Sequence, residues 1–263
     1  MEKRQKDSWN KAFEELTFTD DYIFKLVMEQ PEIFKEVLKL ILPTIEVEKL
    51  VSLETEKPFT VDYFFHGVRF DILVTGLEKL IDMEIQVLDT GEIPQRAMYY
   101  LSLLVAKSLK RGQSYKLLGE SYVVFFCKFD PFGQGLPVYS FSMACEEIPA
   151  LHLTENARII FFNAVAWDKC KNKQLAALLR YMMTGEATGD LVRKIDQAVM
   201  EIKQDRKIQG GWGMFYEKLV AERAIGSHER AVETARRALE RGFAPDVVSE
   251  ITGLSIEEVQ SLI

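Results

Sequence analysis

The order of hydrophobic patterns along this 263-residue chain predicts an α/β core, a mixed sheet flanked by helices, followed by an all-helical C-terminal extension. Three observations carry that expectation. Two stretches alternate in polarity, Val68–Val74 and Leu80–Val87, and a short connection joins them. Tyr122–Phe129 is a continuous aromatic and β-branched run, as expected of a central strand buried on both faces. Beyond Trp167 the strand-like patterns stop and only helical ones remain.

Thr19 or Asp20 is placed to cap a helix running through Met28. Pro31 fits the first turn of a second helix, which carries Phe34, Val37, Leu38 and Ile41 at helical spacing and stops at Pro43. After a mixed segment broken by Pro58, residues Val61–Phe65 read as a strand ahead of Gly67. Thr75-Gly76-Leu77-Glu78-Lys79 reads as a hairpin connection between the two alternating stretches. Pro94 opens a helix to about Lys110, its inner stripe formed by Ala97, Leu101, Leu104, Val105 and Ser108, and Arg111-Gly112 ends it. Val138–Ala144 and Arg158–Ala166 read as further strands. Gln174–Met183 and Asp190–Gln204 are helical, Gly210-Gly211-Trp212-Gly213 reads as a break, and a long helix follows from Met214 to Arg241. Two short helices flank Gly253, Pro245–Ile251 and Ser255–Ile263, and resemble a helix-turn-helix unit. The expected division is a core over residues 1–168 and a helical extension over 169–263.

Composition narrows the function. A hydrophobic share of 48% is ample for a packed core. No apolar stretch reaches the ~18 residues of a membrane span, and the charged N-terminus has no signal region, so a cytoplasmic protein with no membrane partner is expected. Cys127, Cys145 and Cys170 show no metal spacing and read as buried free thiols. His66, His152 and His228 fit no zinc pattern, no Gly-x-Ser-x-Gly frame surrounds Ser114 or Ser121, and no phosphate-binding Gly-x-x-x-x-Gly-Lys-Ser/Thr loop occurs. A hydrolase built on histidine or serine is therefore disfavoured, and no nucleotide cofactor is expected. The net charge of −7 argues against a nucleic-acid partner, but it is unevenly spread. Residues 193–241 hold 11 Lys and Arg against 8 Asp and Glu.

The chemistry-bearing residues lie in the hairpin. Strand alternation puts Arg69 and Asp71 on one face of the first stretch, and Asp82, Glu84 and Gln86 on one face of the second. Closing the hairpin would bring Asp71 and Glu84 onto one polar surface beside Gln86. Two acidic oxygen donors and an amide on rigid strands suit a hard divalent cation. The competing reading makes Asp71 a solvated partner of Arg69, and Glu84 a carboxylate on an exposed sheet face.

Arg69-Phe-Asp71 followed by Glu84-Ile-Gln86 resembles the metal site of the PD-(D/E)XK nuclease superfamily, and within it the Rpn-like recombination-promoting nucleases and transposases, which use Glu-x-Gln where others use Glu-x-Lys. Asp21-Tyr22-Ile23-Phe24-Lys25, Gln95-Arg96 and Tyr99-Tyr100 also match, as does part of the C-terminal tail. The resemblance covers residues 15–130 well and implies a restriction-endonuclease-like core. It further implies a Mg²⁺-dependent DNA endonuclease, with Mn²⁺ able to substitute, acting in recombination or on a mobile element. On that reading Asp71 and Glu84 hold the metal and Gln86 positions the water. Asp21 approaches the metal from the first helix, and its other reading is an acid favoured by the helix dipole. Gln95, Arg96 and Arg69 face the phosphate, Arg96 being suited to it by its forked donors. The alternative is a catalytically degenerate fold that binds DNA or protein. The helix-turn-helix-like tail carries Glu257 and Glu258 on its second helix and no Lys or Arg there, which suits packing or self-association better than base reading.

Overall fold

The computed structural model describes residues 12–45, 52–55, 58–59, 68–69, 72–76, 79–109 and 111–263. They form two compact units, Glu15–Asp205 and a second made of Met1–Glu14 with Arg206–Ile263. The first unit is built on a six-stranded sheet of order β1-β4-β5-β6-β8-β7. Its strands are β1 (Ser52–Thr55), β4 (Ile72–Gly76), β5 (Lys79–Gln86), β6 (Glu120–Cys127), β7 (Val138–Ala144) and β8 (His152–Asn163). A separate two-stranded ribbon pairs β2 (Pro58–Phe59) with β3 (Val68–Arg69). The expected strand Val61–Phe65 lies outside the described residues.

The sheet is mixed, as the patterns required. β1, β4 and β5 are antiparallel, and the β4–β5 hairpin pairs Ile72 with Met83 and Gly76 with Lys79. β5, β6 and β8 are parallel, and β7 returns antiparallel along the edge of β8. A parallel β5–β6 pair needs a crossover, here α3 (Ile93–Lys107), which opens with Pro94 in its first turn. Its residues Ile93, Ala97, Tyr100, Leu101 and Leu104 pack on Leu80, Val123, Phe125, Ile159 and Phe161 of the sheet.

The other sheet face is covered by α1 (Asp21–Met28), whose Phe24 ring lies 6.2 Å from that of Phe126. α2 (Pro31–Ile41), α4 (Lys173–Thr184) and α5 (Asp190–Gln204) belong to the same unit. The in-register parallel pairing of β6 and β8 stacks Phe125 on Phe161 at 5.6 Å and Phe126 on Phe162 at 5.1 Å. Alternation sends the two pairs to opposite faces, so β6 is aromatic on both sides. Its burial on both faces matches the uninterrupted apolar run read from the sequence.

Several boundaries differ from expectation. β8 starts at His152 and stops at Asn163 instead of running over Arg158–Ala166. Asn163 ends it by capping: its Oδ1 accepts from Val165 N at 3.0 Å, opening a 3₁₀ turn over Ala164–Lys169, while its Nδ2 donates to the carbonyl of Leu136 at 3.0 Å. Only Cys127 is buried, and burial, with Asp89 adding, pushes its thiol up to about 12; Cys145 and Cys170 are half-buried.

In the second unit the glycine run is no break. Gly210, Gly211 and Gly213 lie inside one helix, α6 (Arg206–Glu240). Each glycine costs a helix about 1 kcal/mol relative to alanine. Trp212 offsets that cost by being almost wholly buried against Phe13, Phe215 and Tyr216, with ring centroids 5.6–6.3 Å apart. α7 (Pro245–Thr252) and α8 (Ile256–Gln260) pack on the end of α6 through Ala235, Ala238, Val248, Leu254 and Val259. Gly253, at φ 72°, makes the turn between them, a conformation that a side chain would strain. Ser255 and Glu258 form the full capping box: Glu258 N donates to Ser255 Oγ at 3.2 Å, and Ser255 N to Glu258 Oε2 at 2.8 Å.

The aromatic stack makes a direct prediction. Phe125→Ala removes a fully buried ring between Tyr100 and Phe161 and should cost about 3–5 kcal/mol in chemical denaturation. A loss below about 1 kcal/mol would mean that the core closes without this ring.

Candidate active site

β5 is where the polar alternation meets the core. Lys79-Leu-Ile-Asp82-Met-Glu84-Ile-Gln86 was expected to show a polar surface opposite an apolar one. Instead the strand is covered on both sides from Leu80 to Ile85, and only Lys79 and Gln86 at its ends are half-exposed. Leu80, Asp82 and Glu84 share one face by alternation, and that face lies under α3. Asp82 and Glu84 are both 0% exposed.

A fully buried carboxylate needs a partner. For Glu84 it is Arg96, in the first turns of α3, whose Nη2 donates to Glu84 Oε2 at 2.5 Å. Arg96 is itself fixed from two other directions. Its Nε donates to Tyr100 Oη at 2.9 Å, one turn along the helix. Its guanidinium also lies over the rings of Tyr100 and Phe125, 5.1 and 5.5 Å from their centroids. Burial, and then the charge of Glu84, push the Tyr100 hydroxyl above its ordinary range. Tyr100 therefore stays neutral and serves as a hydrogen-bonding prop.

Elsewhere the expected site residues divide. Gln86 stands half-exposed at the carboxyl end of β5, where its carbonyl accepts from the backbone N–H of Lys128 at 2.9 Å. Gln95 is exposed on α3. Asp21 begins α1, as the helix-dipole reading requires. Its Oδ2 accepts from the buried Lys25 Nζ at 2.9 Å, while its Oδ1 is buried without a hydrogen-bond partner among the described residues. Arg69 falls in the small β2–β3 ribbon, paired with Pro58. The stretch Val68–Val74 thus contributes to two different sheets. Asp71 lies outside the described residues, and no cluster of three potential metal-binding His, Cys, Asp or Glu occurs among the described ones.

Two members of this site were given no role from sequence. Asp82 carried the signal of being two residues from Glu84 on the same strand face. Tyr100 stands four residues after Arg96, the spacing that stacks side chains on a helix, whereas the neighbouring Tyr99 is half-buried and packs at the edge of the core.

A mixed sheet with an antiparallel hairpin, a carboxylate on its second strand and a crossover helix closing over that carboxylate define a restriction-endonuclease-like α/β fold. The chain belongs to the PD-(D/E)XK nuclease family of transposases, whose family model matches residues 18–204. Residues 228–263 match the C-terminal helix-turn-helix domain of the Rpn/YhgA-like nuclease family, the region of α6–α8. No curated protein and no solved structure matches the chain. Among the described residues no helix is long and apolar enough to cross a membrane.

Breaking the pair at its cationic end leaves a carboxylate buried without its counter-charge. Arg96→Ala should destabilise the protein by about 3 kcal/mol at neutral pH. In a double-mutant cycle with Glu84→Gln, the coupling should lie at about 1–3 kcal/mol. Additive losses would show that the two side chains do not depend on one another.

Proposed function

We propose that this protein is a divalent-metal-dependent DNA endonuclease that hydrolyses phosphodiester bonds, acting in recombination or on a mobile element. The observation that carries the reading is the wholly buried Glu84 on the second strand of the β4–β5 hairpin, held by Arg96 in a fold of the nuclease family. Asp71 is proposed as the second acid. It directly precedes Ile72, which pairs with Met83, the neighbour of Glu84. Carboxylate oxygens as the only charged donors fit a hard cation such as Mg²⁺, with Mn²⁺ as a substitute. Such an ion, when bound, supplies an acidified water and positive charge beside the scissile phosphate.

The chain's own residues would do the rest. Glu84, on a strand covered on both faces, offers its carboxylate without rearrangement of the backbone. Gln86, at the half-exposed strand end, orients water and donates to a phosphate oxygen, but it carries no proton away. Arg96 balances the charge of Glu84, and a forked guanidinium can hold a carboxylate and a phosphate oxygen at once. Asp21 and Gln95 are proposed to border the substrate from α1 and α3, and Arg69 from the β2–β3 ribbon. The C-terminal unit is proposed to serve association, with a second copy or with DNA phosphates. Residues 242–263 contain four acids and no Lys or Arg, a composition that opposes base reading by α7 or α8.

The test is cleavage of plasmid, linear and single-stranded DNA with Mg²⁺ and with a chelator. Asp71→Ala and Glu84→Ala should each abolish cleavage, while Gln86→Lys should retain it. Undiminished cleavage by the Asp71→Ala/Glu84→Ala double variant would end the enzymatic reading. A folded parent that cuts nothing would favour the non-cleaving alternative.

A further inference from the structure

The pair of Glu84 and Arg96 has a geometry that a bound cation must disturb. Arg96 Nη2 donates to Glu84 Oε2 at 2.5 Å, and Glu84 has no exposure of its own. On the nuclease reading this same carboxylate takes a divalent ion. A guanidinium and a metal ion drawn to one buried carboxylate repel each other, and the low local dielectric strengthens the repulsion. Each therefore weakens the hold of the other.

Which partner yields depends on what else fixes each of them. Glu84 stands on β5, paired along its whole length with β6, so its backbone cannot withdraw. Arg96 has a second seat that does not involve Glu84. Its Nε donates to Tyr100 Oη at 2.9 Å, and its Cζ lies 5.1 Å from the Tyr100 ring centroid and 5.5 Å from that of Phe125. That seat is rigid, because Phe125 is wholly buried and stacked on Phe161, and Tyr100 is only 8% exposed. The backbone of Arg96 is held too, its N–H donating to the Glu92 carbonyl at 2.9 Å. The part of the pair able to move is thus the Nη end of the arginine, whose side chain is one-third open to solvent.

We infer that Arg96 is an exchangeable counter-ion: its Nη end leaves Glu84 when a divalent cation takes that carboxylate, while the rest of the guanidinium stays seated on Tyr100 and Phe125. The inference rests on the proposed metal-dependent nuclease reading and concerns the control of that same site. The exchange keeps the buried acid balanced throughout, by the arginine before the ion arrives and by the ion afterwards. It also lowers affinity, because binding the ion breaks the pair. Metal binding by this chain is therefore weaker than its carboxylates alone would give, and removing the arginine's charge strengthens it.

The experiment is calorimetric titration of the full chain with Mn²⁺, the parent beside Arg96→Gln, which keeps an amide donor for Glu84 but carries no charge. The variant should bind Mn²⁺ about 5–150-fold more tightly, the usual range of coupling between two sites, although it is the less stable protein. That gain should vanish in Arg96→Gln/Glu84→Gln. An arginine that only holds Glu84 in place for the ion predicts the reverse, equal or weaker binding by Arg96→Gln. Should Arg96→Gln not fold, the parent labelled with ¹⁵N-arginine carries the test by nuclear magnetic resonance. Saturating Mg²⁺ should then shift the Arg96 Nη signals and leave Nε, held by Tyr100, in place; unmoved Nη signals would overturn the exchange. Tighter binding by the variant, in a chain that never cuts DNA, keeps the exchange and removes the nuclease reading. Equal or weaker binding, in a chain that cuts normally, overturns the exchange and leaves that reading standing. No binding by either protein overturns the exchange.

Discussion

Placing a carboxylate inside a protein costs several kcal/mol unless a cation meets it there. Glu84 is such a carboxylate, sealed between the sheet and α3, and Arg96 is the cation. Much of the surrounding architecture follows from satisfying that pair. Arg96 must sit in the first turns of α3 to reach β5, which fixes how the helix lies on the strand. Tyr100 and Phe125 then confine the guanidinium by hydrogen bond and ring contact. The same Phe125 stacks on Phe161 and extends the packing to β8. Sheet core and charged site are therefore one cooperative structure, because the aromatic residues that stabilise the fold also orient the arginine.

This arrangement has a chemical logic on the proposed reading. A site meant for a divalent ion and a phosphate gathers negative charge, which would repel itself in the absence of ligand. An internal arginine offsets that repulsion. Arg96 also remains part-exposed, with a third of its side chain open to solvent, whereas Glu84 has no exposure. The pair thus has an inner, fixed member and an outer member on the solvent side, the side from which a substrate phosphate must arrive.

Much of this was legible in the residues. Alternation placed Asp82, Glu84 and Gln86 on one face, and the uninterrupted apolar run at 122–129 marked the strand with helices on both sides. Pro94 gave the start of α3, and Gly253 with Ser255 the turn of the C-terminal unit. Burial was not legible: a strand with acids on one face reads as half-solvated, and only the packing of α3 seals it. Arg96 reads as a phosphate ligand by its forked donors, but its bond to Glu84 spans two elements and leaves no local signal. The glycines around Trp212 read as a break because local propensity favours one there, and tertiary burial of the indole prevails. Asn163 reads as part of a strand since the second bond of its amide, to the Leu136 carbonyl, comes from far away in sequence.

The central claim is that Glu84 belongs to a divalent-cation site and is not merely a buried structural acid. Calorimetric titration of the full chain with Mn²⁺, beside a Glu84→Gln variant of equal thermal stability, tests it most directly. The account predicts saturable binding by the parent and none by the variant, since an amide at this position keeps the shape but loses the charge. Equal binding by both proteins, or none by a folded parent, would contradict it.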